Sequence, residues 1–182
     1  MKASLLYLNK VMITSSLALI LVISPTSHAR SNQNDLIAID TYQQDIKQAL
    51  ALYQAKDFTK ALPALEEIAK RGDKRAQYIV GTMYLNSQGT AQDLKKSYAW
   101  LTVANEQKTK AWKKPLQMLD EKLPADFLAL ANQEAADYVE KYGAKAQKLK
   151  CRPVKTLGSK KAKHTCVKSE LKPGFYFLAQ RS

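Results

Sequence analysis

The sequence has few of the residues that catalytic sites need. Its 182 residues include two histidines, two cysteines and six glycines. Beyond residue 29 the only histidine is His164, and no carboxylate lies close to it in the sequence. Neither a Gly-x-Ser-x-Gly nucleophile motif nor a glycine-rich phosphate loop occurs. We therefore predict a protein with no enzymatic activity, no cofactor and no metal ion.

Acidic residues are almost absent from one end of the chain. The net charge is +13, yet residues 30–143 hold 16 basic and 15 acidic side chains. Residues 144–182 hold 11 basic side chains and one acid, Glu170, a net charge of +10. This distribution predicts a neutral body with a basic tail, which offers its lysines to an anion. The alternative is that the lysines only keep an edge strand soluble and unpaired. The candidate anion-binding residues are Lys155, Lys160, Lys161, Lys163 and Lys168.

The first 29 residues lack acids and have the three-part form of a secretory signal peptide. Lys2 and Lys10 precede an uncharged stretch over residues 11–24, and small residues lead to Ala29. The alternative is a retained membrane anchor, which needs about 20 apolar residues. We expect cleavage after Ala29, export to the periplasm of a bacterium, and no transmembrane segment in the mature chain.

The two cysteines lie at equal distances from the Gly158-Ser159 bond. Gly-Ser is a two-residue hairpin turn, so Cys151 and Cys166 would face each other across two strands. Cys151, His164 and Cys166 are three potential zinc ligands, but a structural zinc site needs four. An oxidising compartment instead favours a disulfide between the cysteines. Two observations count against this exact register: Pro153 cannot donate to a strand ladder, and Lys160-Lys161 beside the turn suits a longer loop equally well. A later turn at 173–174 leads into residues 175–178, which pack either on the hairpin or on the helical body.

Residues 41–143 are predicted to be helical, because apolar residues recur at spacings of three and four. The first helix should start at Asp40 or Thr41, and the second should have Pro63 close to its start and Gly72 after its end. A third helix runs from about 73 to 86 and a fourth includes residues 94–104. Three residues are expected on the outer side of the third helix: Gln77, Tyr78 and Thr82. The carboxylate pairs Glu66-Glu67 and Asp120-Glu121 are interpreted as solvated surface.

The chain repeats weakly with a shift of 36 residues, which places Asp57 on Asp93 and Leu65 on Leu101. The second copy, which begins at Gly72, resembles the Sel1-like repeat, a relative of the tetratricopeptide repeat. Together with the degenerate first copy, the resemblance covers about residues 43–106. The positions that carry the resemblance are Ala76, Gly81, Tyr84, Gly89, Asp93, Trp100 and Ala104. The copy is divergent, since Ser87 replaces the first loop glycine and Ser97 replaces an alanine. Residues 124–142 resemble the closing helix that often follows the last repeat, and a short helix from about 112 to 123 precedes it.

These patterns predict a mostly α protein: a short Sel1-like, tetratricopeptide-like solenoid with capping helices and a small disulfide-closed, hairpin-like tail. We expect a signal peptide at 1–29, a linker at 30–40, repeats and caps at 41–143, and the basic tail at 144–182. The family resemblance implies a scaffold for a protein or peptide partner, and the tail suggests an anionic envelope partner. The alternative is an accessory subunit or regulator of a cell-envelope enzyme. Nucleic-acid binding is disfavoured by export and by the confinement of suitable aromatic residues to 175–177.

Overall fold

The computed structural model describes residues 36–155, 158 and 161–179, so the predicted signal peptide lies outside the described residues. Within these ranges there are six helices and five strands. The helices are α1 (Ile39–Gln54), α2 (Phe58–Lys70), α3 (Lys74–Leu85), α4 (Leu94–Asn105), α5 (Lys110–Lys122) and α6 (Ala125–Tyr142). The strands are β1 (Leu36–Ala38), β2 (Leu149–Lys155), β3 (Ala162–Lys168), β4 (Glu170–Lys172) and β5 (Phe175–Phe177).

Aspartate caps start the three central helices. The side chains of Asp57, Asp73 and Asp93 accept hydrogen bonds from backbone N–H groups three residues further on. Such caps satisfy one of the backbone donors that a helix leaves unpaired at its start. Asp57 and Asp93, which the 36-residue shift superimposes, begin α2 and α4 and also form ion pairs with Lys60 and Lys96.

The core lies between successive helices. Each of the first four helices packs on the next, and α6 packs mainly on α4. Leu65 in α2 and its equivalent, Leu101 in α4, are both buried. Two apolar clusters result, one centred on α1 to α4 and one that joins α4 to α5 and α6.

Glycine permits close contact between α3 and α4. A Cβ atom added at Gly81 would lie 2.8 Å from Cγ of Leu101, so only glycine fits without movement. Gly89 has a positive φ of 79°, and a Cβ there would overlap the carbonyl oxygen of Phe58. Ser87, at the position of the first loop glycine, also adopts a positive φ, of 55°. The loop therefore contains a left-handed backbone angle at a serine, which favours it less than glycine does.

The closing helix covers the second repeat through aromatic contacts. Trp100 is 1% exposed, and its ring stacks on Tyr142 and meets Tyr138 edge-on, with centroids 5.2 and 4.9 Å apart. Ala76, Tyr84 and Ala104 are also buried. A terminal repeat needs such a cover because its apolar face has no further repeat to pack on.

A small sheet joins the two ends of the described chain. Its strand order is β1-β5-β4, and β1 and β5 pair antiparallel with Ile37 opposite Tyr176. The strand β1 falls in the segment that we expected to be a linker. Residues 175–178 pack on the helical body, since Tyr176 meets Tyr42 of α1 edge-on with ring centroids 5.6 Å apart.

Two details of the helices differ from the sequence prediction. The helix α1 begins at Ile39 and has no side-chain cap; instead the N–H of Ile39 donates to the carbonyl oxygen of Gly174 across the small sheet. Pro63, predicted close to the start of its helix, is the sixth residue of α2 and lies beyond the first turn, so the carbonyl of Thr59 lacks the N–H that would normally bond to it.

Candidate functional site: the basic hairpin and its seat

The strands β2 and β3 form a hairpin in the register that the sequence predicted. Cys151 lies opposite Cys166, and the two are bonded. A bridge between residues 15 apart contributes about 3 kcal/mol in the chain-entropy model. Pro153 is accommodated opposite His164. The hairpin is therefore fixed covalently near its base.

Alternation along the two strands gives the hairpin two faces with different environments. The inner face carries Leu149, both cysteines and His164, all of which are half-buried. The outer face carries Lys150, Arg152, Val154, Lys163, Thr165 and Val167, and all of these except Thr165 are exposed.

The inner face is seated on the end of the second repeat. Nδ1 of His164 lies 3.2 Å from the carbonyl oxygen of Gln107, and because that oxygen only accepts, the nitrogen donates. The N–H of Cys166 donates to Oε1 of Gln107 at 3.5 Å. Gly72, with a φ of +90°, lies against Gln147, whose Cβ would be 2.8 Å from an added side chain. The orientation of the hairpin is thus set by contacts with the helices.

The outer face combines three cations with two apolar side chains. Lys150 lies opposite Val167, Arg152 opposite Thr165, and Lys163 opposite Val154. No cation therefore lies directly opposite another, an arrangement that avoids the cost of like charges facing each other across a ladder. None of the three cations forms a salt bridge with a residue in the described ranges.

The five lysines predicted from the sequence do not form one surface. Lys163 is on the outer face, Lys155 is exposed on the inner side near the tip, and Lys161 is exposed beside the turn. Lys160 lies outside the described residues.

Lys168 is a correction to the predicted set. Its ammonium group donates to the carbonyl oxygen of Phe177 at 3.1 Å and lies 5.9 Å from the ring centre of Tyr42. Burial lowers the pKa of Lys168 to about 8, although the Asp73 carboxylate opposes this shift. This lysine holds the hairpin to the small sheet and contributes little to an exposed cationic surface.

Lys150 and Arg152 belong to the outer face but were absent from the predicted set. The signal that could have found them was already in the sequence. In a hairpin centred on Gly158-Ser159, even-numbered residues of the first strand share a face with odd-numbered residues of the second. The predicted set of lysines does not follow this alternation.

A buried ion pair beneath the hairpin was also missed. The ammonium group of Lys74, whose side chain is 1% exposed, lies 2.6 Å from Oε2 of Glu106. The same oxygen accepts the N–H of Ala144, where the tail begins, at 2.8 Å. Burial lowers the pKa of Lys74, and the hydrogen bond to Glu106 opposes that shift. The pair therefore links α3, the end of α4 and the start of the tail.

Gln77 corrects another expectation. It was placed on the outer side of α3, but it is fully buried, and its amide nitrogen donates to the carbonyl oxygens of Ala69 and Tyr142. Tyr78 is half-buried and stacks on Trp112 with ring centroids 4.9 Å apart. Gln77 and Tyr78 thus face neighbouring helices.

The two carboxylate pairs are not simply solvated. Glu66 accepts the hydroxyl of Tyr84 at 2.7 Å, and Asp120 accepts the hydroxyl of Tyr98 at 2.9 Å. Burial and the Asp120 carboxylate raise the pKa of Tyr98 to about 12. One carboxylate in each pair therefore holds a tyrosine in the helix packing.

The described ranges contain no group of three or more His, Cys, Asp and Glu side chains that could hold a metal ion. In the same part of the chain, no helix has the length and apolar character needed to cross a membrane.

Comparison with known proteins identifies the architecture. No protein-family model and no curated protein matches the chain. Among solved structures, the chain is similar to a protective antigen present in uropathogenic Escherichia coli strains, whose crystal structure displays an SLR, or Sel1-like repeat, fold. The two are 26% identical with a TM-score of 0.52, and the match covers 65% of this chain. The chain has a Sel1-like repeat fold. The match covers only 27% of the antigen, so most of that protein has no counterpart here.

Proposed function

We propose that this protein is an exported, non-enzymatic binding scaffold. In this proposal the Sel1-like repeats hold a protein or peptide partner, and the outer face of the hairpin contacts an anionic component of the bacterial cell envelope. The observation that carries the proposal is the seating of the hairpin: its inner face is bound to the repeats, so its three unpaired cations point away from them. A fixed cationic face next to a helical scaffold suits a protein that joins two different partners.

A cavity of about 540 Å³ beside α2 and α6 supports the scaffold half of the proposal. It is lined by side chains of both charges, among them Arg71, Glu140 and Lys141, together with the apolar Leu178. Such a mixed lining suits a peptide better than a single small anion. The similar protein that displays this fold is a protective antigen, which fits an extracytoplasmic location of the present chain.

Export is supported by the disulfide, since such bonds persist in oxidising compartments. Mass spectrometry of the protein purified from a bacterial envelope tests it directly. We expect a chain that begins after Ala29 and is two hydrogens lighter than the free-thiol form. An intact N-terminus or two free thiols would contradict export.

The aromatic residues of the tail count against nucleic-acid binding. Phe177 has the ammonium group of Lys148 3.7 Å from its ring centre, and Phe175 has that of Lys172 at 4.6 Å. Tyr176 packs against Tyr42. Rings engaged in this way are poor platforms for stacking on bases.

Crosslinking followed by co-purification from the envelope tests the scaffold and the cationic face together. The test variant carries Lys150→Gln, Arg152→Gln and Lys163→Gln, and we call it the outer-face charge variant. A matched control removes three exposed lysines of α5, through Lys113→Gln, Lys114→Gln and Lys122→Gln. Deletion of residues 144–182 is a poorer test, because it would also remove β5 from β1 and Ala144 from Glu106.

We expect the wild type and the α5 control to retain anionic envelope material at low salt and to lose it steeply as salt rises. The outer-face charge variant should lose this material and keep its protein crosslinks. Binding that does not depend on salt concentration, or binding by the outer-face charge variant that equals that of the wild type, would contradict the electrostatic half of the proposal. Recovery of a crosslinked envelope enzyme whose activity changes in its presence would favour the alternative role of accessory subunit.

A further inference from the structure

The outer face of the hairpin contains two valines that a purely ionic contact would not use. Val154 is 39% exposed and Val167 is 47% exposed. Each lies directly opposite a lysine, Val154 opposite Lys163 and Val167 opposite Lys150. Apolar and cationic side chains therefore alternate across the two strands.

We propose that this outer face binds the surface of an anionic lipid membrane. The inference rests on the proposed function and specifies the anion that the cationic face contacts. Lys150, Arg152 and Lys163 would lie at the headgroup phosphates, and the two valines would enter the boundary between headgroups and acyl chains. Lysine and arginine suit this position because their stems cover apolar surface while their charged ends stay in water.

The charge on the hairpin supports attraction over the distances at which a protein approaches a membrane. The hairpin segment, residues 149–168, contains seven basic residues and no acid. The single acid of the tail, Glu170, lies in β4, where it accepts the N–H of Gly174. No neighbouring carboxylate in the described tail thus competes with a lipid phosphate for the three cations.

The valines distinguish a membrane from a soluble acidic polymer. A polymer needs only the cations, and exposed valines gain nothing from a hydrated chain of anions. A bilayer rewards both kinds of side chain, because peripheral binding combines buried apolar area with attraction to anionic lipids. The combination therefore favours a lipid surface as the occupant of this face.

Co-sedimentation of the full chain with vesicles tests the inference. The vesicles contain phosphatidylcholine alone or mixed with phosphatidylglycerol, and dextran sulfate serves as a soluble polyanion without apolar groups. The apolar variant carries Val154→Thr and Val167→Thr, which keep the shape and branching of the strand residues. Its control is Leu130→Gln, which removes a 58% exposed apolar side chain from α6. Circular dichroism and the mass of the disulfide-bonded form check the folding of every variant.

We expect the wild type to bind mixed vesicles, which contain phosphatidylglycerol, and not to bind vesicles of phosphatidylcholine alone. The outer-face charge variant should bind mixed vesicles about 100-fold more weakly, at roughly fivefold for each cation removed. The apolar variant should lose about tenfold for vesicles and nothing for dextran sulfate. The α5 charge control and Leu130→Gln should bind as the wild type does.

Two results would overturn the inference in distinguishable ways. If the apolar variant binds mixed vesicles as well as the wild type does, or if the wild type binds only dextran sulfate, the face is a general anion site. The lipid assignment then fails while the proposed function stands. If the wild type binds neither probe at low salt, the cationic half of the proposed function fails as well.

Discussion

The ion pair between Lys74 and Glu106 offers the sharpest test of how the scaffold is held together. The ammonium group of Lys74 has three acceptors: Oε1 of Gln77 at 2.9 Å, the carbonyl oxygen of Val103 at 3.1 Å, and the Glu106 carboxylate at 2.6 Å. Only Glu106 among these is charged. Removing one partner of a buried ion pair costs about 3–5 kcal/mol, and the 28% exposure of Glu106 favours the lower end. We predict that Glu106→Gln lowers the free energy of unfolding by about 3 kcal/mol near neutral pH.

The pH dependence of that loss follows from the pKa of Lys74. Burial already holds this pKa below its usual value, and the carboxylate raises it again. Glu106→Gln removes the opposing effect, so the folded-state pKa falls further. Above that pKa the unfolded chain binds a proton that the folded chain has released, and stability rises with pH until the unfolded lysine also titrates. The deficit of Glu106→Gln should therefore shrink as the pH rises above neutral.

Urea unfolding followed by circular dichroism, repeated at pH values from neutral upward, measures how the deficit in the free energy of unfolding changes with pH. The matched control is the same substitution in a Lys74→Met background, where no buried ammonium group remains. There Glu106→Gln should cost less than about 1 kcal/mol and show no such pH dependence. A deficit below about 1 kcal/mol in the wild-type background, or one that does not change with pH, would refute the reasoning.

Three further substitutions test the packing and the seat of the hairpin. Gly81→Ala should destabilise the protein by about 1–3 kcal/mol in thermal unfolding, since the new Cβ meets Leu101; an unchanged midpoint would contradict the close approach. Ser97→Ala should stabilise by about 1 kcal/mol, because the Ser97 hydroxyl is buried without a hydrogen-bond partner in the described ranges; a loss of stability would disprove this. The lowered pKa of Lys168 makes the folded protein more stable as the pH rises from about 8 to 10.5. Lys168→Met should remove this contribution, and an unaltered dependence of stability on pH would show that this lysine is solvated.

The fold was predictable from the sequence because its signals are local. Helical periodicity depends on residues within one or two turns. Asp57 and Asp93, which lie at the predicted interval of 36 residues, cap α2 and α4. The register of the hairpin followed from the symmetry of the cysteines about a Gly-Ser turn. These features need no knowledge of distant partners.

The missed features depend on partners far away in the chain. Lys74 and Glu106 are 32 residues apart, and Gln77 bonds to a carbonyl oxygen 65 residues away. A sequence pattern predicts that polar residues such as Lys74 and Gln77 lie on the surface, because it does not show that a distant part of the chain supplies a buried hydrogen-bond acceptor. The strand β1 was missed for the same reason: it has three residues, and its partner β5 lies near the other end of the chain.

The two faces of the hairpin explain how a strongly basic tail can belong to a folded domain. A chain segment with so little acid repels itself, and an isolated hairpin is marginal in water. Here the disulfide closes the hairpin, uncharged residues lie opposite the outer cations, and the inner face is bound to Gln107. The disulfide and the contacts of the inner face therefore stabilise the hairpin against this repulsion. The three outer cations need no carboxylate partner for this, and none forms a salt bridge within the described ranges. A tail needed only for solubility would not require these contacts with the helices, since lysines in an unfolded tail keep a protein soluble equally well. The contacts therefore favour a role that depends on the orientation of the hairpin.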